Sequence, residues 1–255
     1  MSKDATPEER HKFIIETLEA KGRIGTNELS ERFQISEDTA RRDLREMASA
    51  GLIQRVHGGA LPVSPAGLPF MKRYRISSEE KVRLARRAVQ LISPGQLVIM
   101  DGGTTNLELA RQLPRDLSAT IVTNSPRIAT ETSEHPLLQV ILLGGIFDKR
   151  SQMTLGAHVL GELALVKADL CFLGVHGLHP DVGLTTAGFD EATIKKAMMD
   201  ASAEVAALVT QGKFGTAAAH KFADVSDLDF VVAEDSAAAR QFSELAGNRT
   251  RLLFA

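Results

Sequence analysis

The chain has 255 residues, 44% hydrophobic and 24% charged, with a formal net charge of -2; that suffices for one small and one ordinary domain, each with its own core, and excludes disorder. No apolar run approaches the roughly 20 residues that span a bilayer, and the polar opening MSKDATPEERHK does not suit a secretion signal, so a cytoplasmic protein is expected. A lone cysteine cannot form an intrachain disulfide, and the seven histidines lack metal-ligand spacings such as HExxH, so neither a structural metal nor a cofactor is expected.

The first predicted helix opens with Thr6-Pro7-Glu8-Glu9, a cap, a proline at the first helical position and a capping-box glutamate, and turns Ile14, Ile15 and Leu18 inward. Thr26 is placed to cap a second helix, with Glu28 near its positive end and Leu29 and Phe33 one turn apart. Gln34-Ile35 turns the chain. Ser36 offers the next cap, Glu37 and Asp38 fill the first turn, and Ala40, Leu44 and Met47 make an apolar stripe. At about 100° per residue, Arg42 and Arg45 fall opposite that stripe and Thr39 and Arg41 on its flanks. Arg55, His57 and the Gly58-Gly59 turn then read as a hairpin.

Two helices about a tight turn, followed by a glycine hairpin, predict a winged helix-turn-helix. Its candidate DNA contacts are Thr26, Ser36, Thr39, Arg41, Arg42, Arg45, Arg55 and His57, hydroxyls near the helix start and arginine forks for guanine edges or phosphates. The spacing also fits a solvated helix pair or a dimerisation unit. Residues 1–60 carry ten Lys+Arg against eleven Asp+Glu, so attraction for DNA rests on local placement.

Leu61–Pro69, with three prolines and a glycine in nine residues, predicts a linker, placing domains at 1–60 and 77–255 with 61–76 between them. From Met71 to Arg87, seven Lys+Arg face only Glu79 and Glu80. That stretch fits a solvated helix face and a phosphate contact beside the DNA equally well.

From residue 79 onward, short apolar runs (LVIM, ATIVT, LQVILL, DLCFLGV, VAALVT, DFVVA, RLLF) alternate with helical stretches, which predicts an α/β domain built on a mostly parallel open sheet. Such sheets bind ligands at the carboxyl ends of their strands. After LVIM comes Asp101-Gly102-Gly103-Thr104-Thr105-Asn106, where bare backbone N–H groups, two hydroxyls and a helix N-terminus suit phosphate, or where the threonines serve only as caps. No GxGxxG and no Walker lysine are present. Other strand ends supply Asn124, Gly145, His176 and Lys213, and Lys195 lies one turn after Glu191, a spacing that predicts a pair orienting the lysine. Cys171, inside an apolar run, is expected to be buried.

Residues 8–62, through TARRDL and GLIQRVHGGALP, resemble the N-terminal domain of the DeoR family of bacterial transcriptional regulators. Residues 76–255 resemble its sensor domain through DGGTTNLELARQL, IVTN, LLGG, ADLCFLGVHGL, EATIKKAMM and GKFG. The resemblance implies DNA contacts at Arg41, Arg42, Arg45 and His57. It also implies a fold akin to ribose-5-phosphate isomerase that senses a phosphorylated sugar or related metabolite, lined by Asp101, Gly103, Thr104, Thr105, Asn124, Lys195 and Lys213. Two departures stand out: Ala40 replaces a common isoleucine, and Thr210 replaces an aspartate three residues before the KFG lysine. With that carboxylate gone, His176 and the loop 147–154 become candidates for setting ligand identity.

The resulting expectation is a non-enzymatic regulator, a repressor of a sugar or carbohydrate catabolic operon, that binds double-stranded operator DNA as a homo-oligomer (dimer or tetramer) and is controlled by a phosphorylated sugar. The alternative is an isomerase-like enzyme fused to a DNA-binding head, with Glu191 as base; likeness of fold alone argues weakly for activity.

Overall fold

The computed structural model describes residues 5–246 and 249–255. Its N-terminal part runs α1 (Pro7–Lys21), β1 (Ile24–Gly25), α2 (Thr26–Phe33), α3 (Glu37–Ser49), β2 (Gln54–Val56) and β3 (Gly59–Leu61). The Thr6/Glu9 capping box forms as the sequence predicts. Ile14, Leu18, Leu29, Ala40, Leu44 and Met47 close one apolar core with Ile24, Ile53 and Ala60 from the small antiparallel sheet β1-β3-β2 and its approach.

The sequence pattern hid one contact in this core. Arg10 on α1 makes a two-pronged bond to the buried Asp43 on α3, Nε to Oδ2 at 2.6 Å and Nη2 to Oδ1 at 3.0 Å. Both charges are satisfied, so the pair fixes the angle between α1 and α3 more than it stabilises the fold.

The rest follows as α4 (Phe70–Arg75), α5 (Ser78–Val89), β4 (Leu97–Met100), α6 (Thr104–Arg111), β5 (Ala119–Thr123), α7 (Pro126–Thr132), β6 (Leu138–Leu142), β7 (Ile146–Asp148), β8 (Met153–Leu155), α8 (Ala157–Leu163), β9 (Ala168–Leu173), β10 (Gly177–His179), β11 (Gly183–Thr186), α9 (Phe189–Asp200), β12 (Ser202–Leu208), β13 (His220–Ala223), β14 (Phe230–Ala233), α10 (Ala237–Ala246) and β15 (Arg251–Phe254). Seven strands form one sheet in the order β15-β14-β12-β9-β4-β5-β6, each neighbouring pair parallel. Both faces are covered. Val98, Met100, Leu170, Phe172 and Leu208 pack under α5 and α6, while Ile99, Cys171, Leu173, Val205 and Ala207 pack under α8 and α9. Two-sided burial explains why these strands read as continuous apolar runs.

Three pieces fell outside the predicted alternation. The hairpins β7-β8 and β10-β11 are too short for a periodic signal, and β13 with its flanking 3-10 turns stands where a helix would cross between β12 and β14. Among the described residues no helix is long and apolar enough to cross a membrane.

The sheet order reverses between β4 and β9, so the loops after these two strands part to opposite sides and leave a crevice. Asn106 ties the two strand ends together, its Nδ2 donating to Asp101 O and Phe172 O, each at 2.9 Å.

The segment between the two parts is packed, not loose. Val63 bridges to Ala217, Ser64 Oγ donates to the His176 carbonyl, and Phe70 is buried under the sheet. The β7-β8 turn clasps it from outside: Arg150 Nη2 donates to Gly67 O at 2.7 Å and Phe70 N donates to Arg150 O at 3.1 Å.

Candidate functional site

The head presents α3 with its stripe inward and Arg41, Arg42 and Arg45 exposed on the far side. Ser36 caps the helix, its Oγ accepting from Thr39 N at 3.2 Å, and the two hydroxyls lie 3.0 Å apart. Arg41 is held by Glu37 and Asp38, and Arg42 lies 4.0 Å from Glu46; among the described residues no carboxylate pairs with Arg45.

Arg55 and His57 are exposed on the wing. Its turn passes through Gly58 at φ 76°, and a Cβ on Gly59 would stand 2.0 Å from Ile24 O, so the β1-β3 contact needs glycine there. Gly58 O accepts from Thr26 N at 2.8 Å, which ties the wing to the start of α2. A cleft of about 370 Å³ between them is lined by Thr26, Asn27, Arg41, Arg55 and His57.

Thr26 departs from expectation: Gly25 is the N-cap, without a side-chain bond, and Thr26 is the first helical residue and buried. Pairing of Ile24-Gly25 with the wing starts the helix one residue early, so Thr26 is a buried first residue of the helix and not its cap.

In the second part, α6 starts directly from the glycine turn after β4, with Gly103 as an N-cap that makes no side-chain bond. Among the described residues Thr105 Oγ1 has no hydrogen-bond partner, although it is buried there. Buried hydroxyls are rarely left so, and an orphan beside free helix N–H groups marks a place for an acceptor. Around it stand Gly102–Asn106, Met153, Gly174–His176, Lys195, Lys213 and Arg73.

An adjoining cleft of about 300 Å³ shares Arg73 and His176 and adds Ala66–Leu68, Asp148, Arg150, Ser151 and Gly188–Glu191. His176 and, from the loop 147–154, Asp148, Arg150 and Ser151 line this cleft, and Asp148 is fixed by the N–H and hydroxyl of Ser151.

Lys195 does not pair with Glu191. Its ammonium rests on the Asp101 carboxylate, which also accepts from Gly174 N at 2.8 Å. Glu191 instead accepts from Thr186 Oγ1 at 2.5 Å, and Thr186 Oγ1 lies 2.8 Å from His176 Nδ1. Since that hydroxyl donates to the carboxylate, it accepts from His176 Nδ1–H, an assignment from the bonding pattern that leaves Nε2 an acceptor. Burial, then the nearby Lys195 and Arg73, push the His176 pKa well down, so the ring is neutral.

Three expected site residues therefore sit behind the cavity wall. Asp101 is 1% exposed and holds Lys195 and the β9 end. Asn124 is spent on Gly102 N (3.0 Å) and Thr154 O. Gly145 begins the β7-β8 hairpin, where a Cβ would come 2.6 Å from Leu155 O. Strand-end position alone did not separate residues facing the cavity from those bracing it.

The positive charge was only partly foreseen. Lys213 is depressed to about 7, chiefly by burial and then by Arg73, Lys81 and Lys195 around it. Burial, with Arg73 next, lowers Lys81 to about 8, and its ammonium donates to Arg73 O at 2.6 Å and Ile76 O at 2.5 Å. Arg73 and Lys81 belong to the basic stretch 71–87, so two of its seven cations turn inward and a third, Arg83, pairs with Glu234. On α4, six residues long, no periodic signal marks Arg73 as turned inward, whereas Lys81 stands in the buried α5 stripe with Leu84, Ala85 and Ala88. Arg73, Lys81 and Lys213, with Glu80 as the acid near both lysines, gather at a helix start with an orphan hydroxyl and can hold a phosphate; Glu191, Asp148 and the His176 ring can hold hydroxyls.

Residues 10–66 match the DeoR-like helix-turn-helix domain and residues 76–235 the DeoR C terminal sensor domain. The chain is 35% identical to the HTH-type transcriptional regulator GlpR of Haloferax volcanii, over 94% of this chain and 96% of that protein. It is 34% identical to the glycerol-3-phosphate regulon repressor of Escherichia coli (88% and 89% covered) and 31% identical to the transcriptional repressor GlcR of Bacillus subtilis (89% and 88%). These are regulators along nearly their full length, and the enzyme alternative is set aside on that ground. Among solved structures, ribose 5-phosphate isomerase A of Methanocaldococcus jannaschii overlays 54% of each chain with a TM-score of 0.41 and 17% identity, a partial likeness without bearing on activity.

Proposed function

The chain belongs to the DeoR family of helix-turn-helix transcriptional regulators, and from that premise we propose that it represses a carbohydrate catabolic operon as a homo-oligomer and is controlled by a phosphorylated sugar or polyol held in the crevice between β4 and β9. The carrying observation is the orphaned Thr105 hydroxyl at the start of α6, with Lys213 and Arg73 beside it. The phosphate accepts from Thr105, from the first N–H groups of α6 and from the two cations. The hydroxyls of the ligand meet Glu191, His176 and Asp148.

In the head, Arg42 and Arg45 read base edges, Arg41, Ser36 and Thr39 set the helix start in the groove, and Arg55 and His57 take phosphates. Asp101, Lys195 and Asn124 brace the ligand loop.

Coupling runs through the segment 62–76. Arg73 reaches the ligand from a helix whose chain leads back, past Ser64 on the His176 carbonyl, to the wing strand β3. A ligand that repositions Arg73 thereby bears on the head. A ~100-fold ligand preference for the DNA-incompetent arrangement supplies about 2.7 kcal/mol of coupling.

The test is calorimetric titration of the full chain with glycerol 3-phosphate, named in the Escherichia coli relative, and with a panel of pentose and hexose phosphates, alongside their unphosphorylated parents. Saturable binding of one phosphorylated compound, lost in its parent, is expected; binding of none of them would refute the reading.

A further inference from the structure

The two edges of the seven-stranded sheet differ. At one, β15 carries Arg251, its guanidinium 4.5 Å over the Phe230 ring, an exposed charge of the kind that guards a sheet edge. At the other, β6 lies in a run of eleven residues, 137–147, without a charge. Leu137, Ile141, Leu142, Ile146 and Phe147 in this run are 51%, 40%, 45%, 78% and 45% exposed. Among the described residues its backbone is paired only with β5, which leaves one side of β6 with free N–H and C=O groups. An uncharged, apolar five-residue edge, continued by the exposed Ile146 and Phe147 of β7, is an open template for another strand, and a chain that leaves it bare in isolation is expected to cover it.

We propose that β6 is the self-association edge, and that its occupant is β6 of a second copy, antiparallel about a twofold axis, joining two sheets into one. The choice of occupant follows from charge. An uncharged strand meets its own copy without like-charge repulsion, and an antiparallel strand pair is self-complementary under a twofold. The DNA heads require the same symmetry, two copies presenting α3 to successive turns of one groove. In that respect the inference rests on the oligomeric regulator proposed above, and it adds which surface assembles it.

Light scattering coupled to size exclusion, on the full chain without DNA or ligand, separates the two. Wild-type chain is expected as a dimer or higher assembly. Ile141→Lys and Ile146→Lys are expected to raise the dissociation constant at least 100-fold with unchanged circular dichroism, while Leu165→Lys, on an exposed residue elsewhere, leaves assembly intact. Because Cys171 is buried, Gln139→Cys supplies one accessible thiol, which mild oxidation should convert to an interchain disulfide. A wild-type assembly that survives both lysine substitutions, with no disulfide-linked dimer formed by the Gln139→Cys variant, would overturn the β6 interface while the oligomeric reading stands. A monomeric wild type would overturn both.

Discussion

The Lys195 ammonium and the Asp101 carboxylate, 94 residues apart in sequence, meet in the interior at the point where the sheet order reverses, each nearly inaccessible to water. Asp101 also holds the N–H of Gly174, so one carboxylate joins β4, β9 and α9. Removing one member strands a charge. Asp101→Asn or Lys195→Met is expected to cost about 3–5 kcal/mol, and the double substitution less than the sum. Urea denaturation of the three variants checks this; additive losses would mean the pair is not coupled.

Lys213 gives a pH signature. Its folded pKa near 7 lies below the ordinary lysine value of 10.5, so between these values the unfolded chain holds a proton that the folded chain lacks. Its contribution to stability therefore rises with pH from about 7 to 10.5 and is flat below. A bound phosphate favours the charged amine, so ligand binding takes up a proton above pH 7, and affinity falls by up to about tenfold per pH unit from there. Calorimetry in buffers of different ionisation enthalpy measures the uptake, which Lys213→Met should abolish.

Thr105→Val separates ligand binding from stability by sign. The substitution removes a buried hydroxyl that has no partner, so the ligand-free protein is expected to melt at the same temperature or higher. Ligand affinity is expected to drop about tenfold, the worth of one hydrogen bond to a charged group. A loss of stability without loss of affinity would place the hydroxyl in the fold and not in the site.

In the head, Arg42→Ala is expected to weaken the operator by about 1–3 kcal/mol and relax base preference at one position, whereas Arg55→Ala weakens all duplexes alike and lowers the salt slope by about 0.9. Fluorescence anisotropy across a salt series distinguishes them. Ligand affinity should be unchanged in both.

Much of this was legible because periodicity reports burial. The stripe Ala40, Leu44, Met47 and the strands of the parallel sheet are one-sided or two-sided apolar patterns, and the glycine-threonine loop Asp101–Asn106 stands out by composition after a strand. What the pattern missed depends on contacts between distant residues. Asp43 looks like any polar helix residue until Arg10, 33 positions away, is folded against it. Lys195 has a local partner at helical spacing, yet the buried Asp101 holds it instead. Arg73 lies in a stretch that composition marks as basic, and the packing of residues 62–76 against the β7-β8 turn and the His176 carbonyl places it at the crevice.

The most direct test of the account is displacement: a labelled duplex from the chain's own promoter, bound by the full-length protein at physiological ionic strength, titrated with the phosphorylated compound that calorimetry selects. Anisotropy is expected to report sequence-preferring binding that the ligand shifts at least tenfold, with Thr105→Val and Lys213→Met binding the duplex normally and responding at correspondingly higher ligand concentration. An operator complex indifferent to every sugar and polyol phosphate, or one that responds in both variants at the same ligand concentration as in the wild type, would contradict it.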